Sequence, residues 1–269
     1  MANFLMKDQA VIITGASSGI GKELALRYAK QGAWLLLAAR DKEKLEAVAI
    51  SCRNMGGKAM AVRTDVSDEA QCKYLIDSGI KEYGKIDVLV NNAGITMWSY
   101  FDQVTDLKIM EKIMRVNYFG SVYCTYYALP YLKESHGRLV GVSSLTGKAG
   151  IPTRSGYGAS KHAMAGFFDA LRVELKESGV SVTMIYPGFV SSEVRQRALG
   201  GDGKPLGESP VRENEVMSVE KCVSLMIPAI ASRKREVVMT FRGKMGMWLK
   251  LIAPGLVDRI ALKAIRSGR

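Results

Sequence analysis

The chain has few of the residues that build metal centres and disulfide frameworks. It contains two histidines and four cysteines, and the cysteines lie far apart, without the C-x-x-C spacing of zinc or redox sites. Two lone histidines and dispersed cysteines form no ligand set, so we expect no metal. The same pattern predicts no disulfide framework, which fits a reducing compartment such as the cytoplasm.

Long apolar runs are also missing. No run reaches the roughly 18 residues that a membrane-spanning helix needs. Residues 1–9 lead almost directly into an apolar strand, which leaves no room for the basic and apolar regions of a signal peptide. We therefore expect a cytoplasmic protein. Its 269 residues, 48% of them hydrophobic, suffice for the core of one domain.

Acidic residues are scarce near the C-terminus. The net charge is +12, and the stretch from Arg233 to Arg269 holds ten cations against two anions. Within it, residues 256–265 place apolar side chains on one helical face, with Arg259 and Lys263 opposite them. A basic amphipathic helix of this kind lies in an anionic membrane interface or packs on a partner subunit, and both options stay open. Nucleic acid is not expected, because the cations form no recognised binding module.

Apolar segments of strand length alternate with segments of helical period, which is the pattern of βαβ units in a parallel sheet. The predicted strands are 10–14, 34–39, 59–63, 88–91, 139–143, 181–186 and 236–240. The predicted helices between them are 20–31, 42–54, 69–82, 106–133, 158–177 and 219–232. Continuous apolar strands require a sheet that is covered on both faces. The sequence therefore predicts an α/β fold, a single doubly wound domain with a seven-stranded parallel sheet and helices on both faces.

Two segments depart from this alternation. Residues 189–217 are polar and rich in turn residues, which predicts a lid that closes over substrate; a disordered surface insertion is the alternative. After the last predicted strand, 243–253 and 256–265 read as two short helices broken by Pro254-Gly255. We therefore expect a domain of residues 1–241, with the lid inside it, followed by a basic amphipathic helical extension of residues 242–269.

The first predicted strand ends in Thr14-Gly15-Ala16-Ser17-Ser18-Gly19-Ile20-Gly21, and a helix follows directly. Glycines there let the backbone turn tightly and approach a pyrophosphate, whose charge then lies at the helix N-terminus. In the first βα unit of such a chain, this predicts a dinucleotide site. Arg40 closes the second strand, where a carboxylate would bind the ribose of NAD and an arginine accommodates a 2′-phosphate. Arg40 thus favours NADP(H); an ordinary surface arginine paired with Asp41 is the alternative.

Tyr157 and Lys161 stand four residues apart, so on a helix they share one face. A phenol titrates near pH 10, and it becomes a better proton-transfer catalyst as its pKa approaches the working pH. We expect Lys161, together with a cationic nicotinamide ring, to lower the pKa of Tyr157. The neighbouring His162 is expected to point away from this face. Combined with the glycine loop, the pair indicates a redox enzyme.

These motifs together resemble the short-chain dehydrogenase/reductase family, in its short single-domain branch. The resemblance extends from the N-terminal strand to about residue 241. The basic C-terminal tail of the chain is similar to that of hydroxysteroid- and lipid-type members of the family. The motifs occur in the family's order, namely the glycine loop, Asp65-Val66, Asn91-Asn92-Ala93-Gly94, Asn117, Ser144, Tyr157 with Lys161, and Pro187-Gly188.

The resemblance implies a Rossmann-type fold and interconversion of a carbonyl and a secondary alcohol on a hydrophobic molecule of steroid, lipid or retinoid type. It implies that Tyr157 protonates the carbonyl oxygen and that Ser144, which the family spacing selects over Ser143, hydrogen-bonds to it. Lys161 would also hold the nicotinamide ribose, and Asn117 would fix a relay water. A catalytically weak NADP(H)-sensing or lipid-associated binding protein is the alternative, and the intact catalytic set argues against it.

The resemblance also implies the cofactor contacts. They are Gly15, Ser17, Ser18, Gly19, Ile20, Arg40, Asp65, Val66, Asn92, Ala93, Gly94, Tyr157, Lys161, Pro187, Gly188, Val190 and Ser192. A homodimer or homotetramer formed through helices 106–133 and 158–177 is implied as well. Aromatic residues between 118 and 127 are expected in the core or at that interface, while Met97, Trp98 and Tyr100 could wall a substrate pocket.

Overall fold

The computed structural model describes residues 6–191, 194–211 and 216–266. Its centre is a sheet of seven strands in the order β3-β2-β1-β4-β5-β6-β7, and every adjacent pair runs parallel. The strands are β1 Ala10–Thr14, β2 Trp34–Ala39, β3 Lys58–Arg63, β4 Val88–Asn91, β5 Arg138–Val142, β6 Ser181–Tyr186 and β7 Glu236–Val238. The predicted seven-stranded parallel sheet is confirmed.

Helices cover both faces of the sheet. They are α1 Gly19–Ala29, α2 Lys42–Asn54, α3 Glu69–Tyr83, α4 Lys108–Met114, α5 Gly120–Glu134, α6 Ser155–Glu174, α7 Val219–Ala231, α8 Phe241–Ile252 and α9 Pro254–Arg266. One core layer joins the sheet to α1, α2 and α7, and the other joins it to α3, α5 and α6. Within β1, Val11 and Ile13 enter the first layer and Ile12 the second, because successive strand residues point to opposite faces. Strands buried on both faces therefore have to be apolar throughout.

The strand order reverses next to β1, which has β2 on one side and β4 on the other. In open α/β sheets a crevice forms at such a reversal, outside the carboxyl ends of the strands. The loops after β1, β4, β5 and β6 all emerge at that edge because the strands are parallel. The fold therefore brings the sequence motifs that follow these strands to one place.

The prediction of a single helix over residues 106–133 is wrong. The structure has α4, then a π-helical turn at Arg115–Phe119, then α5. Two tertiary contacts surround this turn: the Asn117 side chain bonds to the backbone of Ile95, and a Cβ at Gly120 would lie 2.9 Å from the backbone oxygen of Val66. A π-turn holds one extra residue, and such turns often mark functional sites.

Several boundaries also differ from the predicted ones, and two of these differences have a clear consequence or cause. The last strand ends at Val238 rather than residue 240, because Thr240 caps α8 by accepting a hydrogen bond from Gly243 N at 3.0 Å. Helix α6 begins at Ser155, earlier than predicted, so Tyr157 lies in its first turn. None of the helices in the described ranges is long and apolar enough to cross a bilayer.

Candidate active site

The glycine loop after β1 is locked to the loop after β4. Gly15 has a φ of +67°, and a Cβ there would lie 2.8 Å from Ala93 Cα, so only glycine fits. Asn92 Nδ2 donates to the backbone oxygens of Thr14 at 2.9 Å and Gly15 at 3.2 Å. Thr14 Oγ1 in turn accepts from the backbone N–H groups of Asn92 and Ala93. Residues predicted to contact the cofactor from two separate loops thus form one rigid surface.

The N-terminus of α1 suits an anion. Ser18 is its N-cap residue, but the Ser18 side chain makes no capping hydrogen bond. The Ser18 hydroxyl and the first N–H groups of the helix can therefore both donate hydrogen bonds to an anion. Arg40 is exposed immediately after β2. Its neighbour Asp41 instead caps α2, accepting from Lys44 N at 3.0 Å, and lies 3.9 Å from Lys44 Nζ. These residues fit a phosphate-bearing dinucleotide, and Asp41 is engaged elsewhere.

The remaining predicted cofactor contacts border the same edge. Asp65 follows β3 and accepts hydrogen bonds from the N–H and hydroxyl groups of Ser67. Pro187 and Gly188 follow β6, and the Pro187 carbonyl accepts from Leu145 N at 2.9 Å. Ser192 lies outside the described residues.

Ser144, Tyr157 and Lys161 come together at the end of β5. Lys161 Nζ lies 5.9 Å from the centre of the Tyr157 ring, so the predicted shared face exists. Burial raises the pKa of the Tyr157 phenol; the charge of Arg154 and the side chains of Ser144 and Thr146 act in the opposite direction but are outweighed. The nearby cation that lowers the pKa of the phenol here is Arg154, and the lowering expected from Lys161 together with a nicotinamide ring stays a prediction.

Lys161 is turned toward the protein interior. Its ammonium donates to the backbone oxygen of Val142 at 2.9 Å, and its side chain is almost fully buried. Burial lowers the pKa of Lys161 to about 8. Burial thus acts on both partners, since it disfavours the phenolate of Tyr157 and the ammonium of Lys161 alike.

Asn117 braces the site through its side chain. Its Oδ1 accepts from Ile95 N, and its Nδ2 donates to Ile95 O and to Ser160 Oγ, each at 2.9 Å. Ser160 Oγ also donates to the backbone oxygen of Tyr157 at 2.7 Å. The amide therefore ties the loop after β4 to the catalytic turn of α6.

The two adjacent serines have different surroundings. Ser143 is buried, and its hydroxyl donates to the backbone oxygen of Lys161 at 3.2 Å. Ser144 Oγ accepts a hydrogen bond from Thr146 N at 3.2 Å. Its side chain also lowers the pKa of the Tyr157 phenol, against the larger effect of burial. His162, by contrast, is exposed, and its Nδ1 lies 2.9 Å from Gly158 O on its own helix. His162 thus points away from the face that Tyr157 and Lys161 share, as expected, and the choice of Ser144 over Ser143 as the catalytic serine stays a prediction.

Aromatic side chains form one wall beside Tyr157. Trp98 and Phe189 lie 6.4 Å apart between ring centres, and the guanidinium of Arg154 lies between them and Tyr157. Trp98 and Tyr100 also line a groove of about 560 Å³. Of the three predicted wall residues, Met97 is instead fully buried.

Sequence reasoning missed Arg154, because an arginine three residues before the tyrosine has no local signal that separates it from a surface residue.

The described part of the predicted lid contacts this wall. Val190 pairs with Met217 in a short bridge, and Ser191 N donates to Met217 O at 2.8 Å. Further along, Leu199 O accepts from Trp98 N at 2.9 Å. The segment is therefore attached to the domain at its base and beside the aromatic wall.

Residues 9–200 match the model of the family described as short chain dehydrogenase. The chain belongs to the short-chain dehydrogenase/reductase family. The matched span contains the glycine loop, Asn117, Ser144, Tyr157 and Lys161. The chain is therefore a member of an oxidoreductase family.

Curated and solved relatives agree with this assignment. The chain is 36% identical over 257 residues to 11-beta-hydroxysteroid dehydrogenase 1A of Arabidopsis thaliana, covering 93% of this chain and 73% of that protein. A short-chain dehydrogenase/reductase from Burkholderia phymatum, solved in complex with NAD, superposes with a TM-score of 0.83 at 23% identity, covering 94% and 96% of the two chains. An alcohol dehydrogenase from the archaeon Thermococcus sibiricus, complexed with 5-hydroxy-NADP, superposes with a TM-score of 0.74 at 23% sequence identity. The match covers 85% of this chain and 94% of that chain. The two structures show the fold alone.

Proposed function

We propose that this dehydrogenase/reductase uses NADP(H) to interconvert a carbonyl and a secondary alcohol on a hydrophobic molecule of steroid, lipid or retinoid type. The observation that carries the proposal is the position of Tyr157 and Lys161 on one face of α6, beside Ser144 and at the sheet edge that holds the glycine loop. The aromatic wall of Trp98 and Phe189 favours an apolar substrate. The name of the Arabidopsis relative supports a hydroxysteroid-like one.

In the reductive direction, the Tyr157 hydroxyl donates its proton to the carbonyl oxygen. Because burial raises the pKa of Tyr157, the phenol keeps this proton at neutral pH. The Ser144 hydroxyl donates a hydrogen bond to the same oxygen as negative charge develops there. When bound, NADPH would supply the hydride, and the protein supplies orientation and electrostatics.

Lys161 and Asn117 act behind the phenol. With a pKa of about 8, Lys161 is mostly an ammonium at neutral pH, and we assign it to the nicotinamide ribose hydroxyls. The side-chain amide of Asn117 is occupied by Ile95 and Ser160. We therefore assign the relay water to its backbone carbonyl, which also accepts from Ser121 Oγ at 2.9 Å.

Turnover is the direct test of this function. Purified protein is assayed for NADPH consumption against a panel of hydrophobic ketones, with NADPH binding measured in parallel. Reduction of at least one ketone is expected. NADPH binding without turnover across a broad panel would favour the alternative, a catalytically weak NADP(H)-sensing or lipid-associated binding protein.

Arg40 is predicted to set the preference for NADPH. Charge-assisted hydrogen bonds contribute about 1.5–3 kcal/mol each, so Arg40→Asp is expected to lower kcat/KM with NADPH by roughly 10- to 100-fold. The kcat/KM ratio of NADPH to NADH measures the effect. As a control, Lys81→Asp inverts a charge at an exposed position of α3 and should leave the ratio unchanged. An unaltered ratio in Arg40→Asp would show that another residue selects the cofactor.

We propose a homodimer or homotetramer that forms through α5 and α6. Both helices carry large apolar side chains in solvent, among them Tyr126, which is 70% exposed, and Val173, which is 74% exposed. Phe119, directly before α5, is partly exposed as well. Burial of these side chains against a second copy would remove that surface from water.

We also propose that the tail contacts an anionic membrane surface from the cytoplasm. Phe241, Met245, Trp248 and Ile252 recur at helical spacing along one face of α8, and all four are exposed. Leu256 and Ile260 of α9 add to this apolar surface. The excess of cations in the tail complements anionic lipid headgroups. All four cysteines are unpaired and buried, which fits a reducing compartment.

Vesicle sedimentation tests this contact. The protein is expected to bind vesicles that contain phosphatidylserine, and Trp248→Ser with Ile252→Ser should weaken binding at least about 10-fold, because two apolar anchors are lost. Tyr74→Ser with Ile50→Ser, two exposed positions on α3 and α2, serves as the control. A change in oligomeric state without a change in vesicle binding would assign the tail to a partner subunit instead.

A further inference from the structure

We propose that the substrate carries a carboxylate, or a similar anionic oxygen group, close to its reacting carbonyl, and that Arg154 binds this group. The inference rests on the proposed function and narrows its substrate class to oxo acids with an apolar body. It is carried by a buried cation beside Tyr157 that the mechanism above does not use.

Arg154 is buried and only partly satisfied. Its side chain is 5% exposed, and a single nitrogen, Nη1, donates to Thr96 Oγ1 at 2.7 Å. The Nε and Nη2 atoms are buried and have no hydrogen-bond partner within the described part of the chain. Leaving a buried donor unsatisfied is costly, and more so for a charged group. A ligand with acceptor oxygens would satisfy both nitrogens.

The aromatic residues around Arg154 hold the guanidinium without satisfying its donors. The guanidinium carbon lies 4.4 Å from the centre of the Trp98 ring, 5.5 Å from Phe189 and 5.6 Å from Tyr157. Ring faces attract the cation, but the N–H bonds lie in the guanidinium plane and point outward from its edges. A planar fork with free edges matches the two oxygens of a carboxylate.

No carboxylate in the described ranges forms an ion pair with Arg154. Burial lowers the pKa of Arg154 to about 10, and the nearby positive charge of Arg195 acts in the same direction. The N-terminus of α6, where Arg154 is the N-cap residue, adds a partial positive charge. An anionic group on the substrate would therefore pair with the guanidinium of Arg154.

The position of Arg154 limits where the anion lies on the substrate. Arg154 precedes Tyr157 by three residues, and its charge reaches the phenol that we assign as proton donor. The carboxylate must therefore stand within a few bonds of the reacting carbonyl. The apolar body can contact Trp98 and Phe189 or extend toward the groove beyond Trp98.

Matched acids and esters test this inference. Benzoylformate, benzoylpropionate and benzoylbutyrate place the carboxylate at increasing distances from one ketone, and each is compared with its methyl ester in kcat/KM. The acid-to-ester ratio in the natural protein is expected to fall at least 30-fold in Arg154→Met for the best spacing. Arg154→Lys should retain part of the preference, because it keeps the charge and loses the fork. Dividing the ratios cancels the intrinsic reactivity of acid and ester.

A binding measurement separates this inference from the proposed function. Phenylbutyrate and its methyl ester, which carry no ketone, are titrated calorimetrically into the NADP⁺ complex of the natural protein and the Arg154 variants. Preferential binding of the acid that depends on Arg154 supports the inference even if no ketone is turned over. Ketone reduction without acid preference at any of the three spacings would overturn it and leave the proposed function intact. An equal loss for acid and ester in Arg154→Met would also overturn it, since Arg154 would then act only through Tyr157.

Discussion

Replacing Tyr157 with phenylalanine is expected to abolish carbonyl reduction while NADPH still binds. The change removes one hydroxyl and keeps the ring that packs with Met97, Ile109 and Ile113. General acid catalysis contributes about 10²- to 10⁴-fold, so kcat should fall by roughly 10³-fold or more. The measurement is steady-state NADPH oxidation, with NADPH affinity from fluorescence titration.

Tyr83→Phe is the matched control for this variant. The Tyr83 hydroxyl donates to the backbone oxygen of Leu35 at 3.0 Å, near the amino end of β2 and thus at the opposite edge of the sheet from the catalytic groups. Removing it costs a structural hydrogen bond, so thermal stability should decrease slightly and turnover should persist. Full activity in Tyr157→Phe would end the assignment of Tyr157 as the acid.

Replacing Lys161 with methionine is expected to reduce turnover by about 10²-fold or more, because removal of one positioned charge has an effect of this size. The same replacement is expected to stabilise the protein at neutral pH. Burial lowers the pKa of Lys161 from 10.5 to about 8. The folded protein thus gives up this proton more readily than the unfolded chain, so the charged lysine costs stability below pH 8. That cost fades as the pH rises toward 10.5.

The size of the stability effect follows from the shift. One pKa unit corresponds to 1.36 kcal/mol, so the cost has an upper limit of about 3 kcal/mol. Methionine also removes the hydrogen bond to Val142 O, which reduces the gain to about 1–2 kcal/mol at pH 7. Urea unfolding at pH 7 and pH 10 measures it, and the gain should be smaller at the higher pH.

Lys148→Met provides the comparison. Lys148 is paired with Glu236 Oε2 at 2.8 Å, so its removal breaks an ion pair and no gain in stability is expected. Equal gains for Lys161→Met at both pH values would mean that buried charge is not the cause of the instability.

Several strands, and the helix face that Tyr157 and Lys161 share, could be predicted from local sequence. The strands at residues 10–14, 34–39, 88–91 and 181–186 have the predicted bounds, because continuous apolar segments of this length are stable only when buried on both faces of a sheet. The shared face of Tyr157 and Lys161 followed from helical spacing alone. Both features depend on nearby residues and need no knowledge of distant contacts.

The path of the chain between α4 and α5 could not be read in this way. Apolar residues continue at helical spacing through the π-turn, so the sequence pattern shows no break there. The turn lies where the Asn117 side chain meets Ile95 and where Gly120 meets Val66. These partners lie 22 residues or more away in the sequence, and no local pattern reports them.

The order of the redox motifs, the apolar strands and the basic tail were determined by the sequence itself, because spacing and hydrophobic period act over short stretches of chain. The tertiary structure decided the electrostatics of the site. It turned the Lys161 ammonium toward Val142, partly buried the Tyr157 side chain and enclosed Arg154 among aromatic rings. The physical reason is that the free energy of a charge depends on which atoms surround it, and packing brings those atoms from separate parts of the chain.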